Sequence, residues 1–287
     1  MKGFYYLSIF LAVLTAGCGV WDDSPGVPHV IVVPEFELTT TMDEGTDSHA
    51  VEEVWVYTPT DVLGVFPLPA TIPVIYDDET VSLGLTISAG IKANGIAATR
   101  RVYTFYDAIE VDYPYVPGAT DTVEFHSNYI DAANIILAED FESSNRFQAS
   151  SLSVAEVVRT TDPQWVYEGE ASGLILLTDS LNHLASTTQE QLYNLPSNGP
   201  KWLEFNYRCD NSFAVGMQVI GGMNEQRTPI IVLNPTHEEW KKMYLDLEPF
   251  VASAPDAFGF ELTLDAILDA GKESGFVVVD NFKIVHY

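Results

Sequence analysis

The chain has 287 residues, with 41 acidic against 13 basic side chains and a formal net charge of −28. Hydrophobic residues at 47% and aromatics at 12% exclude intrinsic disorder over most of the length. Nucleic acid is excluded as a partner, because phosphate affinity comes from clustered Lys and Arg. Here Arg100-Arg101 and Lys241-Lys242 are isolated pairs.

Residues 1–17 read as an export signal. Lys2 provides a positive start, and Phe4 to Ala16 is almost unbroken apolar sequence. That run falls short of the ~20 apolar residues of a spanning helix and matches a signal-peptide core. Its end, Leu14-Thr15-Ala16-Gly17-Cys18, resembles a bacterial lipoprotein signal. The resemblance implies that Cys18 is lipidated and becomes the mature N-terminus, anchoring the chain to a membrane. An ordinary secretory signal is the alternative. Only one other cysteine exists, Cys209, so lipidation at Cys18 leaves it without a partner, whereas a Cys18–Cys209 disulfide is the other arrangement. Residues 18–28 carry Pro, Gly and Ser and read as a tether. Asp22-Asp23 within it resembles the surface-export signal of Bacteroidota lipoproteins, which implies the outer membrane and its cell-surface face.

Beyond residue 28 the chain reads as strands and turns, an all-β protein of two sandwiches. Residues 29–130 form the first. Val30 to Val33, Val54 to Tyr57 and Val81 to Ile87 are strand-like, with Trp55, Tyr57 and Phe66 expected in the core. Pro59, Gly64, Pro67, Pro69, Asp77-Asp78 and Gly90 punctuate them, and Asn94-Gly95 predicts a tight hairpin. Tyr129 to Ala138 reads as the joint. Residues 139–287 form the second sandwich. Its strands are expected near Leu174–Leu177, Trp202–Arg208, Ala214–Ile220, Ile230–Leu233, Met243–Leu247, Phe258–Leu264 and Phe276–Val285, with a helical turn at Ala266–Ala270.

Two resemblances attach to these halves. Val54-Trp55-Val56-Tyr57, the run from Gly64 to Val74, and the run from Ala89 to Tyr106 resemble a family of Bacteroidota lipoproteins with no assigned activity. That implies an immunoglobulin-like domain. Glu139-Asp140-Phe141-Glu142, Glu170 to Gly173, Trp240 to Leu247 and Val279 to Val285 resemble jelly rolls of the carbohydrate-binding-module type. The second resemblance implies a calcium ion tying the first strand to the last, with Asp140, Glu142 and Asp280 at the comparable positions. Backbone carbonyls and water would complete its shell.

Enzyme signatures are missing. His237-Glu238-Glu239-Trp240-Lys241 has lysine where a zinc protease needs its second histidine, and no Gly-x-Ser-x-Gly elbow occurs. The strand from Trp202 to Arg208 is more informative. Alternation puts Leu203, Phe205 and Tyr207 on a core face, and Trp202, Glu204, Asn206 and Arg208 on the other. A ring that stacks on sugar C–H faces beside groups that bond hydroxyls is glycan chemistry. A solvent face with Trp202 packed under a loop is the bland alternative. Trp240, Lys242 and Tyr244 share one parity and would extend the same face. The expected function is non-catalytic binding of polysaccharide at the cell surface. The rival is a structural or adaptor subunit that packs against envelope proteins.

Overall fold

The computed structural model describes residues 26–76, 82–188, 193–221 and 227–287. The signal, Cys18, most of the tether and the Asp77-Asp78 turn lie outside the described residues. What is described is almost entirely β.

The N-terminal unit holds β1 (His29–Val33), β2 (Phe36–Leu38), β3 (Glu53–Tyr57), β4 (Val62–Pro67), β5 (Ala70–Val74), β6 (Leu85–Lys92), β7 (Arg100–Val102), β8 (Ile109–Val111), β9 (Thr120–Thr122) and β10 (Phe125–Ser127). One sheet runs β4-β3-β6-β7, with β8 also on β6; opposite lie β5-β1-β9 and the pair β2-β10. Alternation selects the core: Ile31, Val33, Val54, Val56, Ile72, Val74, Leu85 and Ile87 are all buried in one cluster. Because Val54 and Val56 point inward, Trp55 and Tyr57 point outward and are only half-buried, contrary to the expectation that they fill the core, whereas Phe66, paired with Val54, is half-buried and packs against the core. Asn94 and Gly95 do take left-handed φ values of 55° and 64°. Their turn sits in a longer loop between β6 and β7, not at the tip of a tight hairpin.

The C-terminal unit holds β11 (Asn134–Glu139), β12 (Phe147–Ala149), β13 (Val158–Thr160), β14 (Ser172–Thr178), β15 (His183–Thr188), β16 (Lys201–Cys209), β17 (Phe213–Ile220), β18 (Arg227–Leu233), β19 (Lys241–Asp246), β20 (Gly259–Ile267) and β21 (Ser274–His286). Two antiparallel sheets face each other as a jelly roll: β13-β14-β21-β16-β19, with β11 also on β21, and β12-β15-β20-β17-β18. The 13-residue β21 is the spine of the first sheet. It pairs along one edge with β14 and then β11, and along the other with β16. Leu203, Phe205, Val277, Val279 and Ile284 meet Phe213, Val215, Leu262 and Leu264 in the interior. Since β11 already belongs to this sheet, the second unit begins before Glu139. The helical turn expected at Ala266–Ala270 is absent, because Ala266 and Ile267 complete β20. One short helix, α1 (Glu248–Ala252), stands instead between β19 and β20.

The outward face of the first sheet is not free. Trp202, Tyr244 and Val285 belong to the N-terminal core cluster, packed with Tyr103, Phe105, Tyr106 and Tyr129. The Trp202 and Tyr103 ring centroids are 6.0 Å apart. Trp202→Ala therefore opens a cavity across both units and should reduce stability by ~3–5 kcal/mol in equilibrium urea unfolding. A change under 1 kcal/mol, on the order of a surface substitution, would contradict this packing.

Candidate functional site

The stripe on β16 divides into a half packed under the N-terminal unit and a half beside a cleft. Trp202 is 4% exposed and Glu204 0%, both under the N-terminal unit. The Glu204 carboxylate accepts from the Tyr103 hydroxyl and from the Tyr129 hydroxyl at 2.9 Å. It is ion-paired with Lys242 at 3.1 Å. Lys283, which faces Glu204 across the β16–β21 pairing, donates to the carbonyls of Glu44 at 2.6 Å and Thr46 at 2.8 Å. Burial pushes the Glu204 carboxyl up, but the Lys242 and Lys283 ammoniums and the phenol donors outweigh it, so it sits below the usual range. Burial pushes Lys283 down to about 8. Sugar recognition by Trp202 and Glu204 is thereby overturned: no sugar can reach either side chain.

Asn206 and Arg208 form the other half, outside that aromatic cluster. Asn206 is 1% exposed, with its Nδ2 donating to the Ser48 hydroxyl at 2.8 Å, yet its Oδ1 has no partner. Its neighbour across the β16–β19 pairing is Lys242, whose Nζ is ion-paired with Glu204 but has no acceptor in hydrogen-bond geometry. Both residues line a cleft of about 570 Å³ between the two units, walled by Ser48 to Glu52 on one side and by Tyr167 and Trp240 on the other. Such a volume is in the small-molecule range of ~300–1,000 Å³. Tyr167 and Trp240 are half-buried, 5.0 Å apart between ring centroids, and the Tyr167 hydroxyl donates to Ser48 at 2.9 Å. Arg208 lies over the rings of Trp165 and Trp240, 5.2 and 5.4 Å from their centroids, and bonds the Gln164 carbonyl. The guanidinium therefore braces the aromatic wall.

Tyr167, Trp165 and Ser48 were not singled out by sequence reasoning. Trp165 and Tyr167 stand two apart between Asp162-Pro163 and Glu168-Gly169, and that aromatic pair in a turn-bounded loop was the available signal. Tyr244 and Lys242 do share the face of Glu204 and Asn206, directly opposite them.

The three carboxylates expected to hold calcium are not brought together as a ligand set. Phe141, with φ 58°, turns its ring into the core and leaves Asp140 and Glu142 exposed. Asp140 accepts the Glu142 amide at 3.1 Å, and Glu142 accepts the Glu170 amide at 2.9 Å. Asp280 is buried, accepting from the Ser172 hydroxyl and from the Asn281 amide at 2.8 Å. Among the described residues, no group of three or more His, Cys, Asp or Glu is placed to hold a metal ion.

No protein-family model matches the chain, and no curated protein does. Among solved structures, a family 29 carbohydrate-binding module complexed with cellulohexaose is 12% identical, covering 54% of this chain and 93% of that one, with a TM-score of 0.34. TmCBM61 in complex with β-1,4-galactotriose is 14% identical, covering 50% and 88%, at 0.32. The family 30 module of a Clostridium thermocellum cellulosomal cellulase is 13% identical, covering 53% and 96%, at 0.41.

Burial also sets a pH dependence here. Asp280 is pushed from 3.8 up to about 7, chiefly by desolvation. A folded-state value above the unfolded one means the native state holds the extra proton. Stability contributed by this group is therefore present below pH 3.8 and is lost as pH rises to about 7. Asp280→Asn should remove that slope from thermal unfolding measured across the range. An unchanged profile in the variant would show that Asp280 titrates normally.

Proposed function

We propose that this protein binds a glycan without catalysis, in the cleft between its two sandwiches, while anchored to the cell envelope through lipid on Cys18. One observation carries the binding reading: a half-buried aromatic wall, Tyr167 and Trp240, lines a cleft of small-molecule size whose floor includes Asn206, with a side-chain oxygen that has no partner. Tyr167 and Trp240 offer ring faces for sugar C–H groups. Asn206 Oδ1 is buried without a donor, and a sugar hydroxyl can supply one. Leaving that buried oxygen unpaired costs ~1–3 kcal/mol, which a correctly placed hydroxyl recovers.

The anchoring reading rests on the segment Leu14 to Cys18 and on the acidic tether behind it. Attachment at the outer membrane, facing the cell exterior, follows from the same residues. A second reading, an adaptor in an envelope protein complex, is favoured by Val232 and Ile267. They are 63% and 68% exposed and flank one shallow depression on the outer face of the second sheet.

Affinity electrophoresis of the full chain through a panel of soluble polysaccharides tests the binding reading. One glycan class should retard it, and Trp240→Ala or Tyr167→Ala should each weaken that retardation about tenfold, ~1.4 kcal/mol. Retardation that survives both substitutions would move the site elsewhere; none with any glycan would favour the adaptor. For the anchor, Cys18→Ser should shift the protein from the membrane to the soluble fraction and abolish incorporation of labelled fatty acid. A variant that stays in the membrane fraction would overturn lipid attachment.

A further inference from the structure

Three buried polar atoms without a hydrogen-bond partner stand together in the seam: Glu204 Oε2, Lys242 Nζ and Asn206 Oδ1. Glu204 and Asn206 are two apart on one face of β16, and Lys242 is directly opposite Asn206 on β19. Side chains paired in this way start from Cβ atoms ~4.5–5.5 Å apart. Lys242 Nζ is 3.1 Å from Glu204 Oε2, and the two side chains are only 2% and 0% exposed. Three such orphans at one spot are unusual in a native interior, where nearly every buried polar atom is paired. An amine, a carboxamide and a carboxyl group are also the two reactants and the proton carrier of an amide exchange.

The surroundings fix the arrangement. The Tyr103 and Tyr129 hydroxyls both donate to Glu204 Oε1, which leaves Oε2 for the lysine. Lys283 also faces Glu204, but its Nζ is occupied by the Glu44 and Thr46 carbonyls. Lys242 is the amine without an acceptor. Asn206 Nδ2 donates to the Ser48 hydroxyl at 2.8 Å, which holds the carboxamide in one orientation. Asn206 and Lys242 both line the cleft of about 570 Å³, which gives a small leaving molecule a way out.

We infer that Lys242 and Asn206 join in an intramolecular isopeptide bond, with Glu204 carrying the protons. Lys242 Nζ first passes one proton to Glu204 Oε2. That frees the lone pair of the amine and makes Oε2 a donor for Asn206 Oδ1, the acceptor left waiting. Nζ attacks Cγ and the new C–N bond forms. Glu204 then passes its proton to Nδ2 and takes a second from Nζ. The Cγ–Nδ2 bond breaks, and ammonia leaves with that second proton as ammonium. An ammonium and a carboxamide have become a secondary amide and an ammonium ion, and Glu204 ends as it began. The free amine is the minor form of the ion pair, but each molecule reacts only once, with the two groups held side by side. The product ties β19, at the edge of the first sheet, covalently to β16. Asn206 keeps its carbonyl oxygen, so the inference neither rests on the glycan reading nor conflicts with it.

Mass spectrometry of the purified full chain reads the bond directly. Trypsin cuts after Lys201, Arg208, Lys241 and Lys272, but not after a lysine whose amine is acylated. The digest should contain residues 202–208 joined to residues 242–272, lighter by one ammonia than the two peptides together. Lys242→Arg keeps a cation beside Glu204 and should abolish the branched peptide, and Glu204→Gln should do the same while Asn206 and Lys242 remain. Free 202–208 with complete cleavage after Lys242 in the wild-type digest would overturn the inference, whatever the variants do. A branch at Lys283 in place of Lys242 would overturn it too. A Glu204→Gln protein that is folded by circular dichroism and still branched would remove Glu204 from the reaction.

Discussion

A carboxylate with no access to water sits at the centre of this molecule. Glu204 lies on the spine side of the jelly roll but finds its partners in both units: Tyr103 and Tyr129 from the first, Lys242 from the second. A buried ion pair gains little over a well-packed apolar core, because desolvating two charges offsets their attraction. Removing one partner is another matter and costs ~3–5 kcal/mol, since the other charge is left stranded. The network therefore defines geometry more than it adds stability. Only one docking of the two sandwiches satisfies Glu204, Lys242 and Lys283 together, and any slip leaves a buried charge unpaired.

Smaller contacts repeat the same constraint at the edges of the seam. The Asp246 amide donates to Asn94 Oδ1 at 2.8 Å, so the Asn-Gly turn is a docking element as well as a turn. Arg101 pairs with the other end of Asp246's side chain at 3.1 Å. With the seam held at Glu204 and again at Asp246, the segment from Ser48 to Glu52 is placed over the floor formed by Asn206 and Lys242. The cleft is a consequence of docking, not a feature of either sandwich alone.

Much of the fold was legible because a strand with one buried face writes its period into the sequence. Trp202 to Arg208 alternates, and Val30 to Val33 is a short β-branched run; the structure pairs both as strands. What alternation cannot reveal is what covers the second face. Trp202, Glu204, Asn206 and Arg208 have the composition of a binding stripe, and a buried polar seam has that composition too. Both demand rings, acids and amides. The same ambiguity misplaced Trp55 and Tyr57, whose size suggested a core already filled by Val54 and Val56. The cleft was less legible still, because Ser48, Tyr167 and Trp240 are distant in sequence and meet only after two domains dock. Asn206 is where the expected stripe and the observed cleft coincide.

On the glycan reading proposed above, that coincidence couples stability to binding. Asn206 bonds Ser48 of the first unit through Nδ2 and lines the cleft, while Lys242 pairs with Glu204 in the seam and lines the same cleft. A ligand in this cleft would contact residues that hold this arrangement only while the units are docked. It therefore binds the docked state and not the separated one, and by linkage it must stabilise docking by the free energy it gains there. Conversely, anything that loosens the seam lowers apparent affinity by the fraction of molecules left undocked. On that reading the N-terminal sandwich is part of the binding site in the thermodynamic sense, although it supplies only one wall of the cleft.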